Sequence, residues 1–315
     1  MPKPRNENGE IVRCILMFGI CCMHACDYGL HLCAWWINCF YCFLDGFVLL
    51  SGWYGIRFTW RKFFSLWGIG LFCALIDAIA FNVCVLNKQP SVLQFISLVK
   101  DKMFSHWYLN CYAVLMLLAP LVNEAIERLW ERRDRLASVL IPFFCLVFGW
   151  SWLVEKGARW FSLPRVAGLG SFTFLTLLGV YVVGRLCRKW ELDQRIPLWL
   201  FIVLWGGGTV LCICGFGWYA SPFTVIGAVG LFFTVLKIRW PRFVGISAVF
   251  LGPSVFSIYL LHEGPEGYWI VRHLDCDGII GYLYIALILF VGGVVIDVAL
   301  RRIPLAIIGR WGGRK

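Results

Sequence analysis

The chain has 315 residues, 60% of them hydrophobic and 17% aromatic, with a mean hydropathy of +0.77 and a formal net charge of +11. Soluble globular chains average nearer 45–50% apolar residues, so the composition excludes an ordinary soluble enzyme. The basic residues gather in short segments between apolar runs, which accounts for the charge through membrane topology and anionic lipid, without nucleic acid.

Ten apolar runs approach the roughly 20 residues that a membrane-crossing helix needs. They cover about 11–29, 34–56, 63–86, 104–123, 136–154, 167–186, 196–215, 217–236, 243–262 and 279–299. The expected fold is therefore all-α, a polytopic bundle of about ten transmembrane helices. It forms one membrane domain over residues 1–315, with short polar tails at about 1–10 and 303–315. No small-residue cleavage site precedes the first run, so that span is expected to stay in the mature protein. An even number of spans puts both termini on one side. If that side is the cytoplasm, 22 of the 29 Lys and Arg residues fall inside and seven outside. The positive-inside rule then predicts a multi-pass protein of the inner or plasma membrane with both termini cytoplasmic.

Taken in chain order, the first span "VRCILMFGICCMH" carries Arg13 and His24 eleven residues apart. At roughly 100° per residue the two return to within about 20° of one helix face, separated by a rise of ~16 Å. Ionisable groups are costly inside a span and mark function by default. Span two holds Asp45 near its middle and Ser51-Gly52 near its end, which suits a tight helix approach or a break. Asp45 needs a partner, for which a histidine or arginine of span one is the first candidate. Arg57, Arg61 and Lys62 follow in the next inner segment.

His106 opens span four and His262 closes span nine, while His31 and His273 fall in outer loops, so all five histidines lie on one half of the bundle. Asp77 is another acid within a span. Asp297 has Arg301 four residues later, the spacing of a structural helix-surface ion pair. Most of the fifteen cysteines sit in spans as small hydrophobes. "CFYC", Cys39 to Cys42, lacks a second ligand pair, so no metal site is expected. Cys33 and Cys276 fall in predicted outer loops, a possible pair that sequence alone does not decide.

Four stretches together resemble one family. "RCILMFGICCMH" has an Arg-x10-His spacing, "DGFVLLSGW" a Ser-Gly-aromatic signature, "SHWYLNCYAVLMLLAPLVN" a His-Trp…Pro helix, and "FSIYLLH" a late Tyr-Leu-x-His. Their order and spacing are similar to those of the acyltransferase-3 family of integral-membrane O-acyltransferases. Val48 and Trp53 depart from the usual aromatic residues, and His106 directly precedes Trp107 without the usual spacer.

The resemblance implies transfer of an acyl group, most often acetyl from acetyl-CoA, to a carbohydrate hydroxyl. It also implies roles for His24 and Arg13 in the first helix and for Arg57 with Arg61 after the Ser-Gly signature. The residues are read the same way on physical grounds. Arg13, Arg57 and Arg61 are expected to bind the donor's phosphates at the inner surface. His24 is expected to act as acid–base or as acyl carrier, oriented by Asp45 or Arg13. His106, Trp107 and His262 are placed on the acceptor side. The expected partners are acyl-CoA as donor substrate, a carbohydrate acceptor and membrane lipids. There is no bound cofactor, metal or nucleic acid in this reading, and the acyl group, acceptor and oligomeric state are not legible. The competing readings are a proton-coupled transporter or flippase, which would also use buried His, Asp and Arg, and a structural subunit, which would leave Arg13 and His24 unexplained.

Overall fold

A computed structural model of the protein describes residues 6–27, 34–82, 91–156, 173–219, 221–274 and 278–312. Among these residues there is no β-strand, and the helices in order are α1 (Glu7–Asp27), α2 (Ala34–Tyr54), α3 (Trp60–Phe81), α4 (Val92–Ser105), α5 (Trp107–Glu131), α6 (Arg133–Phe144), α7 (Ser151–Lys156) and α8 (Phe174–Lys189). They continue as α9 (Leu192–Arg195), α10 (Leu198–Leu211), α11 (Pro222–Lys237), α12 (Arg242–Leu251), α13 (Val255–His262), α14 (Pro265–Leu274), α15 (Gly278–Asp297) and α16 (Ile303–Gly312). Eight helical runs among the described residues are long and apolar enough to cross a membrane. The sixth and eighth expected spans are represented by α8 and α11, each 16 residues long. The all-α polytopic architecture holds, and among the described residues eight full-length spans with these two shorter helices agree with the expected count of about ten. Cys33 and Cys276 lie outside the described residues, as does His31.

The chain divides into two units. The first comprises residues 1–33, 64–106 and 242–315. Its central helix is α1, whose first turn carries Glu7 and Glu10 where the helix dipole favours anions. Asn6 Oδ1 accepts the Gly9 N–H at 3.3 Å and so supplies a cap. Val12, Met17, Ile20 and Cys21 are fully buried, and apolar burial on several faces marks a helix enclosed by its neighbours. Helices α12, α13 and α15 pack around it.

The sequence reads as one continuous span over 243–262, but the structure breaks it. Helix α12 stops at Leu251, a 3₁₀ turn covers Gly252–Ser254, and α13 starts at Val255. Pro253 has no N–H and interrupts the helical ladder. Carbonyls on both sides of this break are taken by cations: Phe250 O accepts from Arg302 at 2.8 Å and Pro253 O from Arg301 at 3.2 Å. Arg301 also forms the expected ion pair with Asp297, at 2.5 and 2.8 Å.

The second unit comprises residues 34–63 and 107–241. Its helices α2 and α8 cross at Gly52 and Gly184. A Cβ on Gly52 would stand 2.3 Å from Tyr181 O, and one on Gly184 2.5 Å from Leu49 O. Small residues let two helix backbones meet where lipid gives no hydrophobic drive to association. Ser51-Gly52 therefore serves a tight approach and not a break, since α2 runs unbroken to Tyr54. Ser51 Oγ bonds back to Phe47 O at 3.2 Å and meets Tyr112 Oη at 3.1 Å.

Candidate functional site

Because α1 is one uninterrupted helix, Arg13 and His24 do share a face. The turn at Gly252–Ser254 sets the course of α13, which brings its last residue, His262, against α1. His24 Nδ1 and His262 Nε2 are 2.6 Å apart, and the rings stack with centroids separated by 4.8 Å. Both residues are buried, at 7% and 2% exposure. Sequence reasoning sets His262 apart from His24 on the acceptor side; the structure makes it the direct partner of His24.

The protons of the pair can be assigned from the acceptors around it. His262 Nδ1 lies 3.0 Å from the Ile258 carbonyl, which can only accept, so this nitrogen carries a hydrogen. In a neutral ring Nε2 then holds a lone pair and accepts the Nδ1–H of His24. A neutral His24 is thereby fixed with its own lone pair on Nε2.

A charged group adjoins this pair. His106 connects α4 and α5, with Nε2 3.7 Å from Asp77 Oδ2 on α3 and Nδ1 3.9 Å from Glu263 Oε2. The Tyr259 hydroxyl donates to Glu263 Oε1 at 2.8 Å. His106 and Glu263 lie just beyond the ends of the spans. Burial works against a charged His106, but the Asp77 and Glu263 carboxylates prevail and raise its pKa to about 9. Burial likewise works against the Glu263 carboxylate, and its contacts with charged His106 and the Tyr259 hydroxyl hold it below the usual carboxylate range. Sequence reasoning misses Glu263 and the Asp77–His106 pairing. The four-residue interval from Tyr259 to Glu263 on one helical turn is the signal available for the former.

Arg13 is already engaged. Its Nη1 donates to both Glu10 oxygens, at 2.9 and 2.8 Å, and its side chain is 35% exposed. The Glu10 carboxylate fills the space that a side chain on Gly252 would need. Glu10, three residues before Arg13, is therefore its partner, and any anion bound by Arg13 must share or displace it.

The other expected site residues belong to the second unit. Asp45 is buried on α2, and its Oδ2 has no hydrogen-bond partner among the described residues. Arg57, between α2 and α3, and Arg61, in the first turn of α3, are exposed, and the Arg57 carbonyl accepts from Lys62 Nζ at 3.2 Å. Trp107, half-buried, opens α5. Among the described residues, no group of three His, Cys, Asp or Glu side chains is arranged to hold a metal ion.

In comparisons with known proteins, the profile of a family described as an acyltransferase domain matches residues 8–302. No curated protein and no solved structure matches the chain.

Proposed function

The chain belongs to the acyltransferase-3 family, and from that premise we propose that it moves an acyl group, acetyl being the expected one, from cytosolic acyl-CoA to a hydroxyl of a cell-surface or lipid-linked carbohydrate. A membrane acyltransferase agrees with the family match and with the apolar helices. The donor, the acceptor and the residue roles are the proposal.

The observation that carries it is the His24–His262 pair. With His262 Nδ1–H committed to a carbonyl, the chain of hydrogen bonds leaves the basic lone pair on His24 Nε2. The acceptor hydroxyl gives its proton to that nitrogen as its oxygen attacks the thioester carbonyl. The tetrahedral intermediate collapses, the C–S bond breaks, and the proton passes from the imidazolium to the leaving thiolate. The ester is formed, CoA leaves as the thiol, and the ring is neutral again. While the pair holds the proton, the nearby Glu263 carboxylate offsets its charge. The same lone pair would serve if His24 carried the acyl group itself.

Arg13, Arg57 and Arg61 are proposed to meet the donor phosphates, with the pantetheine arm following α1 over the ~16 Å rise to His24. Asp45 is proposed as a further polar group of the reaction centre, and His106, Trp107 and His262 as the acceptor side. The proposed setting is the inner or plasma membrane with both termini cytoplasmic. The test is mass spectrometry of surface glycans from cells with and without the gene. The reading expects the loss of one acyl mass from a glycan; identical glycans, with no acyl transfer by the purified protein, would overturn it.

A further inference from the structure

The sequence places Arg57 in the segment after α2 but gives no reason for its position. Within the second unit, that segment is clamped from two helices. The fully buried Tyr181 of α8 accepts the Ile56 N–H at 3.0 Å and donates to Asn123 Oδ1 of α5 at 2.8 Å. Asn123 Nδ2 in turn donates to Ile56 O at 3.2 Å. Both backbone polar groups of Ile56 are thus held by side chains, and Arg57 follows immediately.

Gly55, on the other side of Ile56, lies against a second arginine. A Cβ there would stand 2.7 Å from Arg185 Nη1, which would have to move aside, and Gly55 has φ +72°, a backbone conformation that side chains strain. Two residues of chain span at most about 7 Å, so the clamp keeps the Arg57 backbone close to the Arg185 guanidinium. Arg185 is 16% exposed and, among the described residues, spends one of its five N–H donors, on Glu127 Oε1 at 3.3 Å. The other Glu127 oxygen is bound by Lys189. One carboxylate therefore serves two cations, and its side chain is 43% exposed, free to turn into water.

We propose that Arg185 is a phosphate-binding residue of the acyl-donor site, held beside Arg57 by the Tyr181–Asn123 clamp, with Glu127 occupying its guanidinium until a phosphate displaces it. This rests on the reading of acyl-CoA as donor. Favourable placement of cations at the C-terminal end of α8 accounts for Arg188 and Lys189. It does not account for a guanidinium that, among the described residues, leaves four donors unspent, Nε among them. The arrangement suits a planar, two-pronged contact with a phosphate, which lysine does not reproduce.

The test measures binding of adenosine 3′,5′-bisphosphate and of CoA to the full-length protein in phosphatidylcholine nanodiscs, repeated with phosphatidylglycerol. Arg185→Gln should weaken bisphosphate binding roughly 10- to 100-fold, the usual scale for one charge-assisted contact, and Arg185→Lys should recover only part. Glu127→Gln removes the competing carboxylate and should tighten binding, a gain that misfolding does not produce. Unchanged bisphosphate affinity in Arg185→Gln, or weaker binding in Glu127→Gln, overturns the proposal. So does an effect of Arg185→Gln confined to the dependence on phosphatidylglycerol, which would identify a lipid-headgroup site. If the bisphosphate binds through Arg185 but acetyl-CoA does not serve as donor, the phosphate site stands and the acyl-CoA reading fails. If acetyl-CoA is used with an unchanged KM in Arg185→Gln, the reading stands and this inference fails. Binding of neither probe to the wild type ends both.

Discussion

Replacing His262 with Leu tests whether His24 depends on its neighbour. Leucine is similar in bulk but offers no acceptor, so the hydrogen bond from His24 Nδ1, 2.6 Å long between two buried rings, is lost. A buried donor left without its partner costs ~1–3 kcal/mol. His24 can avoid that cost by shifting its proton to Nε2, but this removes the lone pair from the nitrogen assigned to the base. Restoring the reactive tautomer then adds that amount to the barrier, about 5- to 150-fold in turnover. His262→Gln, whose amide oxygen can accept the same bond, should recover part of the loss. The assay should follow transfer of radiolabelled acetyl, because the fifteen cysteines of the chain would react in a thiol-detection assay of released CoA. Thermal unfolding of each variant separates a catalytic loss from a folding loss. Full turnover in a stably folded His262→Leu protein would refute the tautomer argument.

Arg61→Ala should weaken CoA binding roughly 10- to 100-fold in calorimetry if the arginine meets a phosphate; unchanged affinity would confine Arg61 to topology. Gly184→Ala should lower the unfolding temperature, since its Cβ would strike Leu49 O at 2.5 Å and overpacking typically costs ~1–3 kcal/mol. Gly68→Ala on α3, where no atom outside the local helix lies within 4 Å of the new Cβ, should be neutral or stabilising and serves as its control. Asp297→Asn should destabilise the first unit through the loss of the Arg301 pair at 2.5 and 2.8 Å. A double-mutant cycle with Arg301→Gln would measure that coupling directly.

Features set by local spacing are legible in the sequence. The shared face of Arg13 and His24 follows from helical periodicity in an unbroken α1, and the Asp297–Arg301 pair follows from a four-residue interval. Glu10 was equally accessible, three residues before Arg13, but a reading that assigns the arginine to a phosphate passes over it. Gly252-Pro253 in the middle of span nine signals a break by composition, and continuous hydropathy masks it. The contact between His24 and His262 joins residues 238 positions apart, so no periodicity reveals it. The same holds for Arg185 on Gly55, which depends on where α8 crosses α2.

His24 is proposed as the base in acyl transfer. The measurement that tests it most directly is transfer of radiolabelled acetyl from acetyl-CoA by purified wild-type protein and His24→Ala, with CoA affinity measured on the same preparations. His24→Ala should lose at least roughly 10²-fold and up to 10⁴-fold in turnover, with CoA bound as in the wild type. Near-full transfer by His24→Ala would contradict it.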